Sequence, residues 1–174
     1  MTKPMSAGLK STGAIALGIA MLAGGSLGFA STAEAQGQYR QKISNNMAKC
    51  SGGRPAVRVT VRGIKSSAGK LRVQSYRGTK AEWLKKGKWI NRIEARARAG
   101  TMTFCVPVPA SGTYGIAVRH DINSNGKTDI RTDGGAMSNN PSINIFNLGK
   151  PSYKKTSIVV GRTTKSITVN MRYM

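Results

Sequence analysis

The chain has 174 residues and carries 28 Lys and Arg against 6 Asp and Glu, a formal net charge of +22. A field of that sign disfavours cationic partners and favours anionic ones: lipid headgroups, lipopolysaccharide phosphates, acidic polysaccharide or nucleic acid. With one His and two Cys in the whole chain, a thiol–imidazole catalytic pair is disfavoured.

The N-terminus reads as a secretory signal. Lys3 and Lys10 make a positive start, residues 11–32 carry no charge, and Ala33-Glu34-Ala35 offers small residues where a signal peptidase reads. Gly24, Gly25, Ser26 and Gly28 interrupt the apolar run, so its core, residues 14–23, is too short to span a bilayer as an anchor. Gly25 stands where a lipidated Cys would be, so no lipid anchor is expected. The chain is therefore divided into a cleaved signal (1–35), an N-terminal arm (36–55) and a folded domain (56–174), with a periplasmic or secreted destination. Cleavage after Ala35 leaves 139 residues, with 26 basic and 5 acidic side chains, or +21. That is enough chain for one domain with an ordinary core.

Residues 36–55 are polar and without period, as expected of an extended arm. Cys50 and Cys105, an even count in an exported chain, read as a disulfide. Its closed loop of 56 residues stabilises the fold by about 4 kcal/mol in the chain-entropy model.

Alternation then begins. Val57, Val59 and Val61 alternate with Arg58, Thr60 and Arg62, the period of a half-buried strand. Leu71 and Val73 alternate with Arg72 and Gln74 in a second strand. Further strands are predicted over 92–98, 101–106, 112–119, 156–161 and 165–172, with turns at 66–69, Gly100, Ser111-Gly112 and 161–164. About seven short strands with turns between them predict an all-β chain, an antiparallel β-sandwich. Helix is confined to a turn or two over 80–86, and residues 134–152 read as a long ordered loop.

Two features of these strands bear on partners. Trp83 and Trp89 flank Lys85, Lys86 and Lys88, a mixture that either stacks bases or sits at a membrane interface, or else caps the open end of a sandwich. The outward strand positions are basic, and Arg58, Arg62, Arg72, Arg96 and Arg98 are the candidate anion-binding residues, alongside Lys70 and Arg92. The alternative is an ordinary solvated face. No nucleic-acid motif accompanies them, so the anionic partner is expected to be an envelope polymer or a lipid surface.

Residues 120–133 hold three of the six acids. Asp121, Asn123, Asn125, the Lys127 carbonyl and Asp129 follow the spacing of the first ligands of an EF-hand, with Gly126 at the sharp turn. Position twelve is Thr132, so the closing bidentate Glu is absent, and any calcium affinity is expected to be weak. Two other readings stay open. In one, Asx-turns and Asn125-Gly126 make a metal-free structural turn. In the other, His120, Asp121 and Asp129 form a hydrolytic or metal-dependent active site. The latter is awkward because adjacent strand residues face opposite ways.

The string from Gly112 through Val118, then His120-Asp121, Asn123, Asn125-Gly126, Asp129 and finally Ser138-Asn139-Asn140, resembles the bacterial secreted family called domain of unknown function 2141. The resemblance runs from about Val57 to Tyr173. The chain departs from the family pattern at Gly115, usually Ala, at Arg131, and at Gly134-Gly135-Ala136, usually Gly-Ile-Pro. The resemblance implies an exported immunoglobulin-like or transthyretin-like sandwich and no established activity. The combined expectation is a non-enzymatic envelope module that binds anionic components through a basic face.

Overall fold

A computed structural model describes residues 39–174; the expected signal segment and its cleavage point lie outside them. Ten strands form two sheets. They are β1 (Gln41–Lys42), β2 (Ala56–Ile64), β3 (Lys70–Arg77), β4 (Trp89–Arg96), β5 (Gly100–Pro107), β6 (Gly112–Asp121), β7 (Gly134–Met137), β8 (Ser157–Val160), β9 (Thr164–Asn170) and β10 (Arg172–Tyr173). The large sheet runs β1-β4-β3-β6-β7-β10, with β8 also on β6, and the small sheet runs β5-β2-β9. The chain is thus an all-β sandwich.

The core follows from the alternation. Val57, Val59 and Val61 of the small sheet meet Leu71, Val73, Ile93, Ile116 and Val118 of the large one in a single buried cluster. Each fully buried aliphatic side chain of this size contributes about 1.5–3 kcal/mol.

The structure amends the expected layout in three places. Two strand pairs are parallel, β1 with β4 and β2 with β9, where a wholly antiparallel sandwich was expected. The arm contains β1 and a 3-10 turn, Met47–Cys50, capped by the Asn46 side chain on the Ala48 amide. Cys50 is joined to Cys105 with a Cα–Cα distance of 5.8 Å. Asn45 receives the Cys105 amide and donates to the Thr103 carbonyl, covering the open edge of β5. Finally, the expected loop over 134–152 begins as a strand. β7 pairs with residues 117–120 of β6 and β8 with residues 112–115, so together they make one neighbour for β6.

Ser138 bridges the gap between them. Its amide donates to the Ile116 carbonyl, its Oγ accepts from the Ile116 amide, and its hydroxyl donates to the Thr156 carbonyl. The excursion between β7 and β8, which includes a 3-10 turn Ile145–Asn147 and a single helical turn α1 (Tyr153–Thr156), leaves the sheet at that point.

A second, smaller core covers one end of the outer face of the large sheet. There Trp83, from the 79–88 turns, packs with Tyr76, Trp89 and Met137, and its indole N–H donates to the Pro151 carbonyl at 2.8 Å. Both tryptophans are buried, and this segment covers part of the sheet's outer face.

Candidate functional site

The register of the large sheet assembles its outer face. Arg72 on β3 stands between Glu94 on β4 and Arg119 on β6, and Gln74 stands between Arg92 and Ala117. Lys70 lies between Arg96 and Asp121 one row away, and Lys42 of β1 stands beside Arg92. Arg72 and Arg119 therefore stand side by side, and Arg92 lies diagonally across from Arg72, one row along. The side chains of Arg92, Arg72 and Arg119 lie flat on the sheet, only 18, 20 and 16 % exposed.

Glu94 is the acid shared at the β4 side, 2.7 Å from Arg72 Nε and 3.8 Å from Arg92 Nη1. Burial pushes the Glu94 carboxyl up, but the hydrogen bond from Arg72 and the charges of Arg72 and Arg92 together outweigh it and hold the carboxyl below its ordinary value. Burial, followed by the charge of Arg72, lowers both Arg92 and Arg119. They stay cationic at any physiological pH, so the shift reports burial first and crowded like charge second. Arg92 also lies over the Trp89 ring at 4.1 Å from its centre, where the aromatic face holds the guanidinium in place.

The five candidate arginines do not share one surface. Arg72 and Arg96 belong to this face, whereas Arg58 and Arg62 lie on β2 and point out from the small sheet, across the core. Arg98 sits exposed in the turn after β4. Arg58 donates to the Cys50 carbonyl at 3.5 Å and is partly covered by the arm. The basic face is Arg72, Arg92 and Arg119 with Arg96, Lys70 and Lys42. Alternation placed Arg72, Arg92, Arg96 and Lys70 outward, did not single out Arg119 or Lys42, and could not tell which strands are neighbours.

At the edge of this face lies the acidic loop. Arg119 reaches into it: Nη2 donates to Asp121 Oδ2 at 3.1 Å and to the Gly126 carbonyl at 3.0 Å, and Nη1 donates to Thr128 Oγ1 at 2.9 Å. Asp121 Oδ2 also accepts the Gly126 amide at 2.9 Å. Asn123 Oδ1 accepts the Asn125 amide, and Asn125 Oδ1 accepts the Lys127 amide, two successive Asx-turns. These turns leave both side-chain NH2 groups facing Asp129 Oδ2, at 2.8 and 2.7 Å. The two amide hydrogen bonds hold the Asp129 carboxyl below its ordinary value. Asp133 accepts the Ile122 and Asp129 amides, one on each oxygen.

In this arrangement Asp121, Asn123, Asn125, Lys127 and Asp129 do not fit a calcium ion. Calcium needs six to eight oxygens on one centre, and here amide nitrogens face Asp129 while a guanidinium takes three of the loop's oxygens. Asp121 Oδ1 is buried without a hydrogen-bond partner. Among the described residues no three His, Cys, Asp or Glu cluster as a metal site.

His120, Asp121 and Asp129 are not brought together as an active site. His120 is fully buried on the inner face of β6, with Nε2 2.8 Å from the Ala68 carbonyl and Nδ1 2.7 Å from the Tyr173 hydroxyl. The first contact requires the proton on Nε2, because the carbonyl can only accept. The Tyr173 oxygen in turn accepts the Lys65 amide. The imidazole thus ties the β2–β3 turn to the last strand.

No curated protein matches this chain, and no solved structure does so. A family model, described as an uncharacterized protein conserved in bacteria (DUF2141), matches residues 59–168, from within β2 to within β9, and the chain belongs to that family.

Proposed function

We propose that this protein is a non-enzymatic, exported module of the bacterial cell envelope that binds anionic envelope polymer through the outer face of its large sheet. The observation that carries this reading is the clustering of Arg92, Arg72 and Arg119 within two neighbouring rows of three adjacent strands, flanked by further basic residues and opposed only by Glu94 and Asp121. Half-buried guanidiniums on a rigid sheet lose little entropy on meeting a phosphate or carboxylate, and their planar fork suits both groups. Export is supported by the apolar, small-residue N-terminal sequence and by the disulfide, which persists in oxidising compartments. The acidic loop acts in this reading as an ion-free turn that anchors Arg119, and the two bonded nitrogens of His120 support a structural imidazole.

The test is retention on immobilised heparin as a function of salt. The parent chain elutes at high salt, and Arg72→Ala with Arg92→Ala elutes well before it. Arg58→Ala with Arg62→Ala, across the core, elutes close to the parent. Retention without salt dependence, or an equal loss from the Arg58 and Arg62 pair, sinks the proposal.

A further inference from the structure

Phe146 is 92 % exposed and Leu148 is 66 % exposed, two residues apart in the excursion between β7 and β8. Their exposure is imposed by the loop. Asn144 and Asn147 cap each other, each side-chain oxygen accepting the other's amide, at 3.1 and 3.2 Å. Asn147 further donates to the Ser142 carbonyl at 2.6 Å, and its own carbonyl accepts the Lys150 amide at 2.7 Å. Leu148 adopts a left-handed φ of +48°, a strained conformation for a bulky residue that persists only where its surroundings enforce it. The polar groups of this loop bond to one another, and two large apolar side chains stand out in solvent.

Lysines lie beside this loop. Phe146, Lys150 and Lys155 line one open cleft, and Lys80, Lys85 and Lys150 line the next, the two meeting at residues 150–152. No acidic residue follows Asp133 in the sequence. Glu82, the one acid in the 79–88 segment, takes the Tyr39 hydroxyl on one oxygen and has the other buried. Two exposed apolar side chains next to a group of flexible cations match an anionic bilayer: the apolar pair enters the acyl boundary and the lysines meet the headgroup phosphates.

We propose that this end of the sandwich docks on an anionic lipid bilayer, with Phe146 and Leu148 inserted and Lys80, Lys85, Lys150 and Lys155 on the phosphates. The inference goes beyond the arginine platform and uses none of its residues. It is tested on the full chain carrying an environment-sensitive fluorophore at Phe146→Cys or, as control, at Thr168→Cys on the exposed face of the small sheet. Vesicles of phosphatidylcholine containing phosphatidylglycerol blue-shift the Phe146→Cys probe and expose it to quenching by brominated lipid, while the Thr168→Cys probe stays unchanged. Pure phosphatidylcholine vesicles produce no shift. Lys150→Ala with Lys155→Ala lowers the affinity about 25-fold, at about fivefold per lysine. The reading at position 146 separates docking by this loop from attachment through the apolar 11–32 segment. A silent Phe146→Cys probe, an equal shift at Thr168→Cys, or the same shift on neutral vesicles overturns the inference. The heparin result is independent of all three.

Discussion

Arg119 and Asp121 set the character of the acidic loop. Asp121 is 5 % exposed, and its Oδ2 serves the guanidinium and the Gly126 amide together. Asp121→Ala takes the counter-charge from a half-buried guanidinium and the acceptor from a backbone amide, so we expect a loss of about 2–3 kcal/mol. If the loop needs no ion, that loss is the same in calcium and in chelator; a destabilisation that appears only with calcium refutes the ion-free turn. Asp129 adds a pH signature. Its carboxyl titrates below its ordinary value of 3.8, first because of Asn123 and then Asn125. A depressed carboxylate contributes its order above the unfolded value and loses it as pH falls through the folded one. The Asp129 carboxyl resonance should therefore show a midpoint below 3.8, and the Asn123 and Asn125 side-chain amides should shift with it. The EF-hand spacing was legible in the residues, but spacing does not reveal which end of an amide faces the centre. Asx-turns decide that, and they turn the nitrogens inward.

Gly115 explains one departure of this chain from its family. A Cβ there would lie 2.4 Å from the Trp83 ring, so the absent methyl is the space in which the indole lies on the sheet. Gly134 stands in the same relation to the Tyr173 ring, also at 2.4 Å. Gly115→Ala is expected to lift Trp83 off the sheet and cost about 1–3 kcal/mol as an overpacked contact. Tryptophan emission should move to the red as the indole meets water, and unchanged emission with unchanged stability would refute the contact. Ser138 works through hydrogen bonds, because Ser138→Ala removes the Ile116 amide's acceptor and the Thr156 carbonyl's donor inside the sheet. We expect about 2 kcal/mol of destabilisation and faster hydrogen exchange at Ile116. The long strands were readable because their alternation is strong, as in Val57 to Arg62 and Leu71 to Gln74. β7, with the sequence Gly-Gly-Ala-Met, and two-residue β1 and β10 carry no period. The parallel pairing of β2 with β9 joins segments a hundred residues apart and leaves no local trace. Much of the family string is thereby accounted for as architecture: His120 bonds Tyr173, and Ser138 joins β7 to β8. Asn140 ties the start of the excursion to β9 through the Thr168 carbonyl and the Asn170 amide.

At the scale of the whole molecule two terms oppose each other. The disulfide closes a long loop in the unfolded chain and fastens the arm to β5, and Cys50→Ala with Cys105→Ala should cost about 4 kcal/mol in the chain-entropy model. Against this stands the charge. Residues 39–174 contain 26 basic and 5 acidic side chains, and the ion pairs within 4 Å among them engage only Glu94 and Asp121. Most of the cations face one another through solvent at distances where salt screens them, the Debye length being about 8 Å at physiological ionic strength. Folding brings this like charge together, so the compact state carries a repulsion that the expanded chain largely escapes. The melting temperature should therefore rise as sodium chloride is added, while retention on heparin falls over the same range because the same ions compete for the arginine platform. Stability and binding thus move in opposite directions with one variable. A melting temperature that falls with salt would mean that attraction at Glu94 and Asp121 outweighs repulsion among the rest, and that the basic surface is held by its own acids instead of lying open to a partner.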